Sequence, residues 1–111
     1  MNSLCLLLGS NLGNRLLNIS KAIVLINKYI GEITNRSSIY ETDSWGFKSE
    51  EKFINIALIC ITDLKPAEIL DKIHQIEDGL ERKRTGQGYE SRSIDIDIIF
   101  YNKLIMIHEM F

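Results

Sequence analysis

The chain has 111 residues, 45% hydrophobic and 25% charged, with a formal net charge of −2. That balance belongs to a soluble globular domain and excludes a disordered tail, a fibrous protein and, with only two cysteines, a disulfide scaffold. The apolar runs Leu4 to Leu8 and Ile56 to Ile61 fall far short of the ~20 residues of a membrane helix. Met1-Asn-Ser-Leu-Cys5 places no basic stretch before an apolar one, so no signal peptide is expected and the cytoplasm is the expected compartment. One domain is expected over residues 1–111. The 13 basic and 15 acidic residues argue against a general nucleic-acid binder. Arg82, Lys83, Arg84 and Arg92 nevertheless fall within eleven residues, which suits a small anionic ligand. Cys5 and Cys60 lie in apolar runs and read as buried thiols.

Taken in chain order, Ser3 to Leu8 reads as a strand buried on both faces, ended by Gly9. The turn-rich Gly9-Ser-Asn-Leu-Gly-Asn14 leads into a helix whose apolar residues recur at Leu16, Ile19, Ile23, Ile26 and Ile30. Gly31 ends it. Residues 32 to 42 are β-leaning but polar and fit one long edge strand. A polar loop from Asp43 to Lys52 precedes the strand Phe53 to Ile61. Pro66 then opens a second helix, with a stripe at Ile69, Leu70, Ile73, Ile76 and Leu80. After a loop from Glu81 to Arg92, Ile94 to Tyr101 is the last long strand, and Leu104 to Ile107 a short one. The order strand, helix, strand, strand, helix, strand is the split βαβ pattern: an α+β, ferredoxin-like βαββαβ sandwich, mainly antiparallel, with two helices on one face.

The segment with the clearest chemistry is Arg92-Ser-Ile-Asp-Ile-Asp97. On a strand Asp95 and Asp97 share one face, about 6.5–7 Å apart. Their mutual repulsion is relieved by a hard divalent cation, and Mg²⁺ is often held by one or two carboxylates plus substrate phosphates. A solvated sheet face is the plain alternative. The neighbouring arginines tilt the balance towards phosphoryl chemistry, because guanidinium groups clamp phosphate oxygens. His74 and Glu77 are neighbours on the second helix, placed either for a surface hydrogen bond or for a nucleotide contact. Asn55 is a polar amide beside Phe53 in an apolar strand, suited to the edge of a flat heterocycle or to a backbone hydrogen bond. The Gly9 segment has neither the spacing nor the lysine of a P-loop.

These residues carry a resemblance to the 6-hydroxymethyl-7,8-dihydropterin pyrophosphokinase family. It rests on Gly9-Ser-Asn-Leu-Gly-Asn-Arg15, Tyr40-Glu-Thr42 leading to Gly46, Phe53-Ile-Asn55, Glu77 before Glu81-Arg-Lys-Arg84, and Ser91-Arg-Ser-Ile-Asp-Ile-Asp97. The resemblance implies a ferredoxin-like fold and transfer of diphosphate from ATP to the pterin hydroxymethyl group, with release of AMP. It implies that Asp95 and Asp97 hold two Mg²⁺ ions with ATP. Arg82, Arg84 and Arg92 would contact phosphates, with Arg82 and Arg92 also serving the transition state. His74, Glu77, Tyr89 and Ile98 fall at ATP-contacting positions. Thr42, Ser44, Trp45, Gly46, Phe53 and Asn55 fall where the family cradles the pterin. A second class of function is a ferredoxin-like nucleotide- or RNA-binding module without catalysis.

Two departures stand out. Where the family carries a basic residue, a Trp, a Gly and a Pro, this chain has Gly88, Tyr89, Glu90 and Ser91. The sequence also stops at Phe111, where family members continue through a Val-Pro-His-Pro segment, an Arg-Phe pair and a final helix. The family is monomeric; a form lacking that segment is expected to be weakened in catalysis and to self-associate through Leu104 to Phe111.

Overall fold

The computed structural model describes residues 1–11, 13–42, 52–80, 94–102 and 104–105. Strand β1 (Asn2–Ser10) is followed by helix α1 (Arg15–Tyr29), then β2 (Glu32–Arg36), β3 (Tyr40–Thr42) and β4 (Phe53–Thr62). Helix α2 (Pro66–Leu80), β5 (Asp95–Tyr101) and β6 (Leu104–Ile105) complete the order. The sheet runs β2-β4-β1-β5-β6, with β3 also on β4, and every pairing is antiparallel. Both helices pack on one face of it, so the βαββαβ reading holds.

Local chemistry sets the helix ends. Asn14 caps α1 by accepting a hydrogen bond from the Leu17 amide at 3.1 Å. At the start of α2 the Glu68 carboxylate reaches back to the Lys65 amide at 2.8 Å, half of a capping box, with Pro66 in the first helical position. Ile19, Ala22, Ile26 and Ile30 of the first helical segment and Ile69, Ile73 and Ile76 of the second are buried against the sheet. Leu4, Leu6 and Leu8, Ile54, Ile56 and Leu58, and Ile94, Ile96 and Ile98 meet them from below. The expected stripe of α1 holds at Ile19, Ile26 and Ile30, with Ile23 packed against the core, but Leu16 is 58% exposed and Ala22 joins the buried set.

Two strand readings need correction. β1 is buried on its helix side only, because Cys5 and Leu7 on the other face are half-buried. The edge strand expected over residues 32–42 is two strands. Thr34 is an extra residue between the pairs Ile33↔Cys60 and Asn35↔Ile59. Ser37 then replaces regular pairing: its amide donates to the Ala57 carbonyl at 2.9 Å, and its hydroxyl accepts from the Ala57 amide at 2.9 Å. A side-chain oxygen in the ladder ends β2, and pairing resumes at Tyr40↔Asn55. Cys60 is fully buried, and burial pushes its thiol up to about 11. Cys5 is only half-buried, its thiol also raised by burial.

The turn after α1 is tied to the end of β4. The buried Thr62 hydroxyl donates to the Ile30 carbonyl at 2.6 Å and accepts from the Leu64 amide at 3.1 Å. Gly31 passes so close that a Cβ there would run into the Ile61 carbonyl oxygen. Gly31→Ala is therefore expected to destabilise the fold by about 2–3 kcal/mol, as overpacking against backbone does, read as a lowered midpoint in urea.

Candidate active site

Alternation along the strands gives the sheet two unlike faces. The helix side is apolar. On the opposite face Tyr40, Asn55, Gly9 and Asp95 form one lateral row, because Tyr40 pairs with Asn55, Asn55 with Gly9, and Gly9 with Asp95. The next row sets Ala57, Leu7 and Asp97 side by side. Adjacent strands lie about 4.8 Å apart, so Asn55 and Asp95 stand about 10 Å apart across the glycine. A cavity of about 460 Å³ opens here, lined by Leu7, Gly9, Thr42, Phe53, Asn55, Asp95 and Asp97.

Each side chain is set by a local reason. The Asn55 amide donates to the Thr42 hydroxyl at 3.0 Å and lies 3.5 Å from the Tyr40 carbonyl oxygen. Both alternatives for Asn55 thus have support: it has structural partners, and it borders the cavity with Phe53. Gly9 is the low point between Asn55 and Asp95. A Cβ on it would stand 3.0 Å from Asn55 Oδ1 and 3.6 Å from the Phe53 ring. Ser10 is 1% exposed and accepts from the Asn18 side-chain amide at 3.1 Å, which anchors the turn after β1 to α1. Within the motif from Gly9 to Asn14, Gly9 therefore lines the cavity and Asn14 caps the helix behind it.

Asp95 and Asp97 are half-buried and face the cavity, as the alternation required. Among the described residues no cluster of three or more metal-ligating side chains occurs. A carboxylate pair suits Mg²⁺, which takes few protein ligands and completes its shell with water and phosphate oxygens. Glu77 departs from the sequence reading. Its carboxylate is 3% exposed rather than at a stripe margin, and Oε2 accepts from the Ile96 amide at 2.9 Å. Among the described residues the outer edge of β5 pairs with β6 at Phe100 and Tyr101, and Glu77 supplies an acceptor to that edge between the two aspartates. His74 is exposed on the same helix. The Ile98 side chain lies in the core at 1% exposure, which leaves its backbone, rather than its side chain, for contacts beyond the sheet.

Of the residues singled out from the sequence, the fold brings Thr42, Phe53, Asn55, Asp95 and Asp97 together. Ser44, Trp45, Gly46, Arg82, Arg84, Tyr89 and Arg92 lie outside the described residues. Leu7 and Gly9 belong to the cavity but were not among the expected site residues. The signal for Gly9 was its place directly after an apolar strand, where a missing side chain leaves room for a ligand.

The fold and these rows define a ferredoxin-like α+β domain with one open, functionalised sheet face. The chain belongs to the 7,8-dihydro-6-hydroxymethylpterin-pyrophosphokinase (HPPK) family, whose pattern it matches over residues 5–111. It is 38% identical over 97 residues to the 2-amino-4-hydroxy-6-hydroxymethyldihydropteridine pyrophosphokinase of Porphyromonas gingivalis, covering 86% of this chain and 66% of that protein. It is also 38% identical over 109 residues to the folate synthesis bifunctional protein of Arabidopsis thaliana, covering 92% of this chain and 22% of the plant protein. The fold matches the crystal structure of wild-type Plasmodium falciparum HPPK-DHPS with a TM-score of 0.72 at 20% identity, over 91% of this chain and 29% of the other. The chain therefore spans just under two thirds of the bacterial relative and under a quarter of the plant one. No helix of the described residues is long and apolar enough to cross a membrane.

Gly9→Ala is expected to push the Asn55 amide off its place while leaving the fold intact, at a cost of no more than about 1–2 kcal/mol. Displaced Asn55 side-chain amide resonances in an NMR spectrum, with a melting temperature lowered by no more than about 5–15 °C, would show it.

Proposed function

We propose that this chain transfers diphosphate from ATP to the hydroxymethyl group of 6-hydroxymethyl-7,8-dihydropterin and releases AMP, a step of folate biosynthesis. The observation that carries the reading is the row Asn55, Gly9, Asp95. An amide and an aromatic ring face a carboxylate pair with one strand between them, in one cavity, in a chain of this family. The pterin is assigned to the wall of Thr42, Phe53 and Asn55, with Ser44, Trp45 and Gly46 completing it. Its flat polar edge suits an amide that both donates and accepts. ATP is assigned to the side of β5 and α2, with His74, Glu77, Tyr89 and Ile98 as its contacts.

Asp95 and Asp97 are assigned to magnesium, two ions arriving with ATP. Magnesium held by these two carboxylates would supply positive charge against the phosphates. The hydroxymethyl oxygen forms a bond to the β-phosphorus as the bond from that phosphorus to the α-phosphate oxygen breaks. AMP leaves with the bridging oxygen, and the hydroxyl proton is lost. Arg82, Arg84 and Arg92 are assigned to the phosphates, and Arg82 and Arg92 to the charge that builds during transfer. Such a reaction asks the protein chiefly for position and electrostatics. Residues 1–111 are taken as one domain working in the cytoplasm, where ATP is supplied.

Nucleotide product analysis with ATP, Mg²⁺ and the pterin tests this. AMP is expected in step with pterin diphosphate, without ADP; no AMP, or ADP in its place, would overturn it. Asp95→Asn and Asp97→Asn are each expected to cut kcat by about 10²–10³-fold, the loss typical of removing a charge-stabilising group. An RNA-binding module would be indifferent to both. The self-association expected of the apolar stretch from residue 104 belongs to the same proposal. Light scattering above the mass of one chain supports it, and a monomer mass counts against it.

A further inference from the structure

Arg15 is the first residue of α1, and a cation is poorly placed there. The helix N-terminus carries partial positive charge, and the first turn has no acidic residue to offset it. Its side chain nevertheless turns back onto the sheet. Nη1 donates to the Lys52 carbonyl oxygen at 2.6 Å and stands 3.5 Å from Glu41 Oε2. Lys52 directly precedes Phe53 and Glu41 directly precedes Thr42, and Thr42 and Phe53 are a cross-strand pair. One guanidinium thus grips the residue ahead of each member of that pair.

We infer that Arg15 is a positioning residue for the pterin wall, holding β3 in register against the start of β4. The inference rests on the proposed assignment of Thr42, Phe53 and Asn55 to the pterin. β3 is three residues long, and its register is fixed by three pairs. No tight turn joins it to β4, since residues 43–52 intervene. A slip of one residue would carry the Thr42 hydroxyl to the opposite face and away from Asn55. Glu41 alternates with Tyr40 and Thr42, so it faces the helix side, where the N-terminus of α1 lies. The Arg15 and Glu41 side chains are 32% and 54% exposed, so their pairing is screened and contributes little to global stability. Its effect is on geometry: one nitrogen, Nη1, meets both the Lys52 carbonyl oxygen and the Glu41 carboxylate, at the end of a guanidinium whose plane fixes the direction of its N–H bonds.

The test compares Arg15→Met, Arg15→Lys and Glu41→Gln with Lys21→Met, an exposed change on the same helix, as control. Arg15→Met is expected to raise KM for the pterin about ten- to hundred-fold, the scale of a small misplacement, with KM for ATP and the melting temperature nearly unchanged. Arg15→Lys restores part of the loss, and Glu41→Gln shows a smaller one. In the ligand-free protein the Asn55 side-chain amide resonances shift in Arg15→Met and stay in place in Lys21→Met. Equal rises in both KM values, or unmoved Asn55 resonances, would overturn the inference. Should Arg15→Met fail to fold, Glu41→Gln and Arg15→Lys decide by the same readouts. Should the unaltered chain make no AMP, the proposed function fails, and the Asn55 resonances alone decide this inference.

Discussion

β1 is hydrogen-bonded along both edges, to β4 on one side and β5 on the other, and the site depends on that central position. Asn55 and Asp95 are forty residues apart and have no local reason to meet. They meet because Gly9 pairs with both. The constraint is mutual: a glycine near the end of a central strand weakens the strand there, yet any side chain in its place would crowd the Asn55 amide. The buried leucines on the reverse side of the same strand stabilise what the glycine weakens, Leu4, Leu6 and Leu8 all being fully buried.

The faces of the sheet divide the work. Period-two alternation sends branched aliphatic side chains to the helices and sets Asn55, Asp95 and Asp97 among apolar neighbours such as Leu7 and Phe53 on the other face. Because the helix side is packed with isoleucine and leucine, the open face tolerates two like charges and an amide without endangering the core. Glu77 is the exception: it is a buried carboxylate on the helix side. Its bond to the Ile96 amide supplies an acceptor along the β5 edge, away from the described pairs with β6. It fastens α2 to the strand that carries Asp95 and Asp97, joining the apolar layer to the charged one.

Much of this was legible in the sequence. Steps of three and four located both helices, Pro66 and the turn-rich stretch from Gly9 to Asn14 marked where they start, and the alternation in Ile94 to Ile98 put the two aspartates on one face. The division of residues 32–42 was not legible, because Ser37 ends β2 through hydrogen bonds to Ala57, a residue twenty positions away. Nor was the depth of Glu77, since a helical stripe gives direction around an axis but not which backbone amide waits beyond it. Arg15 stood in the sequence only as the end of the Gly9 motif; its contacts with Lys52 and Glu41 exist because β3 and the start of β4 are brought beside it.

The sequence by itself determined what is local and periodic: the elements, the buried stripes, the carboxylate pair and the family signature. Periodicity is a property of one segment, and hydrophobic burial rewards it wherever the segment finds a partner. Tertiary structure decided the lateral row from Tyr40 to Asp95, the strand-edge role of Glu77 and the grip of Arg15 on two distant strands. Those depend on register between segments far apart in the chain, fixed only when every backbone donor and acceptor in the sheet has been paired at once.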